Sequence, residues 1–158
     1  MQKLLLLIIV TVTAIFVKAQ NASKTNENLE SKTITLKHFD SIDSEMVFNV
    51  EVIKSDEEKA VITSNVLRFV EIIVKNNTLK IGYKESRSLE NVETRIVIYA
   101  KDVKSVHAGV GSVVKIKDNF DTQEFSTESG GKIVGDSNAK SIVINTESGG
   151  SVLGTVNT

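Results

Sequence analysis

Five residues, TESGG, occur twice in this chain, at Thr127–Gly131 and again at Thr146–Gly150, 19 positions apart. A short fixed period constrains a fold more than composition does, because every copy must adopt the same local structure and pack on the next. The period reaches beyond the pentapeptide. Val106, Phe125 and Ile144 are spaced by 19, and so are Asn119, Asn138 and Asn157. Gly111, Gly131 and Gly150 follow at 20 and then 19, trailed by Val113, Ile133 and Val152. Aligned this way, one extra residue separates the first copy from the second.

Each copy holds two short apolar runs, such as EFST with KIVG or SIVINT with SVLG, divided by Ser-Gly-Gly or by a small polar stretch around Asn. Runs this short cannot bury a face alone. Stacked as parallel strands at ~4.8 Å, they bury a continuous ladder of Val, Ile, Leu and Phe. Corners that superpose in every turn select glycine for left-handed or very tight backbone, here Gly111, Gly130, Gly131, Gly149 and Gly150. Asn119, Asn138 and Asn157 are expected to take a similar backbone state and to stack their amides along the ladder. The expectation is therefore an all-β chain whose C-terminal half is a parallel β-solenoid with 19-residue coils.

The first half is expected to hold mixed strands. KTITLK, MVFNVEVI, KAVITS and ETRIVIYAK are short, β-branched and largely alternating, and EIIVKNNTLKIGY reads as a hairpin turning at Asn76-Asn77. NVLRFV is the one stretch with room for a helical turn.

Residues 1–19 read as a signal peptide. Lys3 precedes the apolar run Leu4–Val17, and Val17-Lys18-Ala19 suits cleavage after Ala19. The run is shorter than the ~20 residues of a spanning helix. Residues 20–31 are polar and aperiodic, a flexible linker, which leaves 32–158 as the folded domain. Cleavage removes Lys3 and Lys18 and leaves 17 basic against 20 acidic side chains, a net charge of −3. No basic stripe marks a nucleic-acid binder, and no stable transmembrane segment is expected after cleavage. The chain has no Cys, hence neither a disulfide nor the cysteine of a lipid anchor. The product is expected in the periplasm, on the outer-membrane surface or outside the cell.

Candidate chemistry is sparse. Glu128 and Glu147 share one phase of adjacent coils, where like charges repel unless they splay into water or hold a cation such as Ca²⁺ with nearby Thr and Ser oxygens. A solvated pair is the simpler reading. Stacked carboxylates are also what a carbohydrate-active β-helix enzyme, of polysaccharide lyase or glycosidase type, would use. Against that, Arg occurs only at Arg68, Arg87 and Arg95, outside the repeat. His38 and His107 fall in different elements, and Gly109-Val110-Gly111 lacks the strand-to-helix setting of a phosphate loop. No catalytic residue, cofactor or metal is assigned. With no Trp, two Tyr and six Phe, the chain does not advertise an aromatic glycan platform. A final coil without a cap leaves a row of unpaired backbone groups, a route to self-association or strand addition.

The order of elements carries a resemblance. FDSID, then VFNVEVIKSDEEKAVITSN, VEIIVKNNTLKIGY and ETRIVIYAKDVKSVHAGVGSV, precede the repeated ESGGKI and ESGGSV. From Phe39 to Gly154 this resembles the bacterial head-GIN domain family of putative auto-transporter adhesins, common in secreted proteins of Bacteroidetes-like organisms. The resemblance implies a right-handed β-helix-like domain in the cell envelope or outside the cell, of adhesin type and without catalytic residues to transfer. A β-helix enzyme and a periplasmic structural or sensory module stand as the alternatives.

Overall fold

Alternation of buried and more accessible residues along most strands decides the architecture. In β7 (Thr94–Ala100), for example, Thr94, Ile96, Ile98 and Ala100 are buried while Arg95 is exposed and Val97 and Tyr99 are half-buried. A strand of this kind presents one face to the core and one to water. The structure is a computed structural model that describes residues 29–84 and 89–157. The expected signal peptide and most of the expected linker lie outside the described residues.

The chain is all-β. Seven strands form one mixed sheet: β1 (Glu30–Thr35), β4 (Lys59–Ser64), β7, β3 (Asn49–Lys54), β9 (Val113–Ile116), β11 (Lys132–Val134) and β13 (Ser151–Leu153), in that spatial order. Six form the other: β12 (Val143–Thr146), β10 (Glu124–Thr127), β8 (Ser105–Ala108), β2 (Ser41–Ser44), β6 (Thr78–Tyr83) and β5 (Val70–Lys75). Pairings β1–β4, β4–β7 and β5–β6 are antiparallel, and the remaining ones are parallel. The first strand starts at Glu30, two residues ahead of the expected Lys32. The hairpin turns where expected, with Asn76 and Asn77 at φ 50° and 59°, and NVLRFV supplies one 3-10 turn at Leu67–Phe69.

Both sheets contribute to one buried cluster that includes Phe39, Phe48, Phe120, Ile42, Ile81, Ile98 and Ile133. Burying each such side chain contributes about 1.5–3 kcal/mol. The units β2–β3, β8–β9, β10–β11 and β12–β13 each send one strand into the six-stranded sheet, turn a corner, and send the next into the seven-stranded sheet. Phe125 pairs with Val106 on one side and Ile144 on the other. Burial fades along this ladder: Val106 is 0% exposed, Phe125 3% and Ile144 55%, because β12 is an outer strand.

The register corrects the expected slip. Ile133 pairs with Val114 rather than Val113, so Val114, Ile133 and Val152 run at an unbroken 19. The corners obey the same phase. Backbone N–H groups of Ser112, Gly131 and Gly150 donate to the carbonyls of Gly109, Glu128 and Glu147, closing three β-turns 19 residues apart. Gly111, Gly130 and Gly149 are therefore the equivalent residues, with φ of 66°, 78° and 82°. No residue is inserted between the copies.

Candidate functional site

The predicted corner residues divide into kinds that the sequence did not separate. Ser129 and Ser148 join Gly130 and Gly149 in the left-handed region, at φ 49° and 46°, so the two Ser-Gly pairs form turns with positive φ at both centres. The Val110-Gly111 corner has it at Gly111 only. Gly131 and Gly150 are needed for closeness instead. A Cβ on Gly131 would overlap the Ala108 carbonyl of the preceding rung, and one on Gly150 would overlap the Thr127 side chain. Asn119, Asn138 and Asn157 do not take the left-handed state expected of them. Their backbones run in ordinary φ, and amide stacking links Asn157 Nδ2 to Asn138 Oδ1 at 3.4 Å.

Glu128 and Glu147 open their turns in the same phase, and both are exposed. Glu128 reaches back rather than forward: its Oε1 lies 3.9 Å from Nε2 of His107, whose Nδ1 is 3.2 Å from Ser126 Oγ. His38 sits elsewhere, 2.9 Å from Glu58 Oε1. Among the described residues no three His, Cys, Asp or Glu side chains are grouped to hold a metal ion. No described helix is long and apolar enough to cross a membrane.

What the register brings together is surface charge. On the outward face of the six-stranded sheet, neighbouring strands align Glu71, Gly82, Glu45, Gly109, Glu128 and Glu147 in one row. The next row runs Lys80, Asp43, His107, Ser126, Asn145. Lys80 Nζ lies 3.1 Å from Asp43 Oδ2 and 3.6 Å from Glu45 Oε1. The hydrogen bond and charge of Asp43, then Glu45, hold the Lys80 ammonium above the usual lysine range. Asp43 Oδ1 is buried without a hydrogen-bond partner among the described residues.

The outward face of the seven-stranded sheet has the opposite sign. Its central row is Ser31, Thr63, Arg95, Asn49, Val113, Lys132 and Ser151. Lys115 projects from the adjacent row on β9, beside Glu51 on β3. Among the described residues Arg95, Lys115 and Lys132 make no ion pair. An open depression of ≈ 430 Å³ lies between the first two, lined by Asn49, Val50, Glu51, Arg95, Val113 and Lys115. These cations are far apart in sequence, and only strand pairing sets them in a line.

Residues 38–158 match the family model described as "Putative auto-transporter adhesin, head GIN domain". No curated protein matches the chain. Among solved structures, a "putative adhesin" from Parabacteroides merdae is 18% identical with a TM-score of 0.64; 82% of this chain aligns and spans 59% of that one. A "putative adhesin" from Bacteroides fragilis is 14% identical with a TM-score of 0.56, covering 83% of this chain and 98% of that one. A "putative lipid binding protein" from Parabacteroides distasonis is 20% identical with a TM-score of 0.58, covering 84% and 69%. At such identities the likeness is one of fold. The labels on the family and on these neighbours are those of binding proteins, with no catalytic function indicated.

Proposed function

The chain belongs to the head GIN domain family, and on that premise we propose that it is an exported, non-enzymatic binding domain of the cell envelope or surface, of adhesin type. Residues 1–19 are read as the leader, 20–31 as a linker and 32–158 as the domain. The C-terminal half is read as a short right-handed β-solenoid. The unbroken 19-residue register supports that reading, with Val106, Phe125 and Ile144 on successive rungs.

The carrying observation is the family match over residues 38–158, nearly all of the proposed domain. The geometry suits a binder. Parallel pairing sets outward side chains in straight rows at ~4.8 Å, so a face is preorganised and loses little entropy on contact. Glu128 and Glu147, the carboxylates that the repeat stacks, project from exposed corners rather than into an enclosed cleft suited to acid–base catalysis.

The test is expression of the full chain in a Gram-negative host, followed by fractionation and protease shaving of intact cells. Expected are loss of the leader, recovery in the envelope or medium, and increased binding of cells or of domain-coated beads to envelope material. A full-length chain retained in the cytoplasm, or beads that stick no better than bare ones, would refute the proposal.

A further inference from the structure

We infer that the row through Arg95, Lys132 and the neighbouring Lys115 is a binding strip for a linear acidic polysaccharide. The inference rests on the surface-binding reading above and names the chemistry of its ligand.

Three features point to such a polymer. The strip is long and straight: seven aligned strands at ~4.8 Å give a track of about 29 Å, several sugar units. Its cations are unpaired among the described residues and set apart along it, with Arg95 and Lys132 three strands, or about 14 Å, from each other. Lys115 stands diagonally across from Lys132, one strand away. Repeated carboxylates or sulfates on an extended chain match that spacing, and a guanidinium can grip one of them through two hydrogen bonds. Asn49 lies between Arg95 and Lys132, and Ser31, Thr63 and Ser151 extend the row beyond them, small donors and acceptors suited to sugar hydroxyls.

Other polyanions fit less well. A membrane surface favours apolar and aromatic side chains that insert, whereas the chain has no Trp and Tyr99 on this face lies beneath Lys59 Nζ, 5.0 Å from the ring centroid. Single-stranded nucleic acid calls for aromatic stacking platforms, which the row lacks. A second copy could offer its acidic face, but that face mixes Lys75, Lys80 and His107 among its carboxylates. Packing two charged sheets together would also desolvate both. Glu51, beside Lys115 at the depression, opposes any anion and sets the sign of one control.

The experiment titrates the full chain with sodium polygalacturonate and dextran sulfate, using neutral dextran, a duplex DNA fragment and phosphatidylglycerol-containing vesicles for comparison. Light scattering runs alongside. Expected is salt-sensitive binding of the two acidic polysaccharides and none of dextran. The triple variant Arg95→Ala/Lys115→Ala/Lys132→Ala should bind about tenfold more weakly or worse, with a flatter salt dependence. Glu51→Gln should bind more tightly, and Glu128→Gln/Glu147→Gln should leave binding unchanged. All substituted side chains point outward, and urea melts check that each variant folds. Undiminished binding by the triple variant overturns the inference. So does binding confined to DNA or vesicles, or retention that follows self-assembly and disappears in the Glu128/Glu147 variant. If domain-coated beads still bind envelope material while no acidic polysaccharide binds, only this inference falls; failure of export or adhesion removes the functional reading itself.

Discussion

Adjacent glycines at one corner should fail for different reasons, and the difference is measurable. Gly130 sits at φ +78° with nothing within 4 Å of where a methyl group would stand, so Gly130→Ala meets only the left-handed backbone. That state costs an alanine about 1–2 kcal/mol, partly offset by the lower chain entropy of the unfolded state, leaving about 1 kcal/mol. Gly131 has no such φ, but its Cβ would stand 2.7 Å from the Ala108 carbonyl carbon and 3.0 Å from Glu128 O. Those atoms belong to the backbone and cannot swing aside. Relief requires the turn to back away from the rung before it, loosening Glu128 N–H to Ala108 O at 3.1 Å and Lys132 N–H to Ser112 O at 2.8 Å. Two weakened hydrogen bonds at about 1 kcal/mol each, with overpacking of about 1–3, put Gly131→Ala at about 3 kcal/mol or more. Urea unfolding followed by circular dichroism gives both numbers as midpoint shifts at constant m. In a thermal melt the loss is about 4 °C for Gly130→Ala and upwards of 10 °C for Gly131→Ala. Asparagine sharpens the test, because it tolerates left-handed backbone but still carries a Cβ. Gly130→Asn should be milder than Gly130→Ala, and Gly131→Asn as harmful as Gly131→Ala. A Gly130→Ala loss equal to or larger than that of Gly131→Ala would refute the reasoning.

Thr155 N and Oγ1 both donate to Asp136 Oδ1 at 2.7 Å, and these bonds hold its carboxyl below the ordinary 3.8. A depressed carboxylate pKa stabilises fully above the unfolded value and loses its contribution as pH falls through the folded one. Asp136→Ala should therefore melt below wild type at neutral pH, with the gap closing as pH falls below 3.8 and through the lower folded value. Lys80 has the opposite sign: raised by Asp43 and Glu45, its contribution holds below 10.5 and fades as pH climbs past its folded value. Lys80→Met should lower the melting midpoint at pH 7 and converge on wild type in strong alkali. About 5 mM calcium should leave the midpoint within about 1 °C; a rise of several degrees would restore a cation to Glu128 and Glu147. Light scattering at high concentration tests strand addition at β12 and β13. Ile144, 55% exposed there, makes Ile144→Lys the variant expected to suppress any assembly.

Much of the fold was legible because its strands obey two periods at once. Alternation marked β3, β4, β7 and the β5–β6 hairpin, and the 19-residue recurrence placed Phe125 over Ile144. The misaligned first copy has a simple cause. Ser-Gly-Gly offers two glycines to match with Gly111, and letter identity favoured Gly131, whereas backbone phase selects Gly130. Serine in left-handed backbone at 129 and 148 was missed because serine carries weaker turn signals than glycine or asparagine. For Asn119, Asn138 and Asn157 the expected left-handed backbone is absent, whereas the expected amide bond between rungs forms at the pair Asn138 and Asn157.

The charged faces were invisible for a deeper reason. A net charge of −1 is a sum over all side chains, and a sum discards position. Two sheets packed face to face leave two outward surfaces, and strand alternation allots every second residue to one of them. Arg95, Lys115 and Lys132 fall on one face, while Glu45, Glu71, Glu128 and Glu147 fall on the other. Their segregation exists only after pairing, because Arg95 and Lys132 are distant in the chain yet share one row. At the ~8 Å screening length of physiological salt, a ligand close to one face senses mainly that face. Near-neutral composition therefore rules out long-range steering by the whole molecule, but it does not rule out a charged ligand held at one surface.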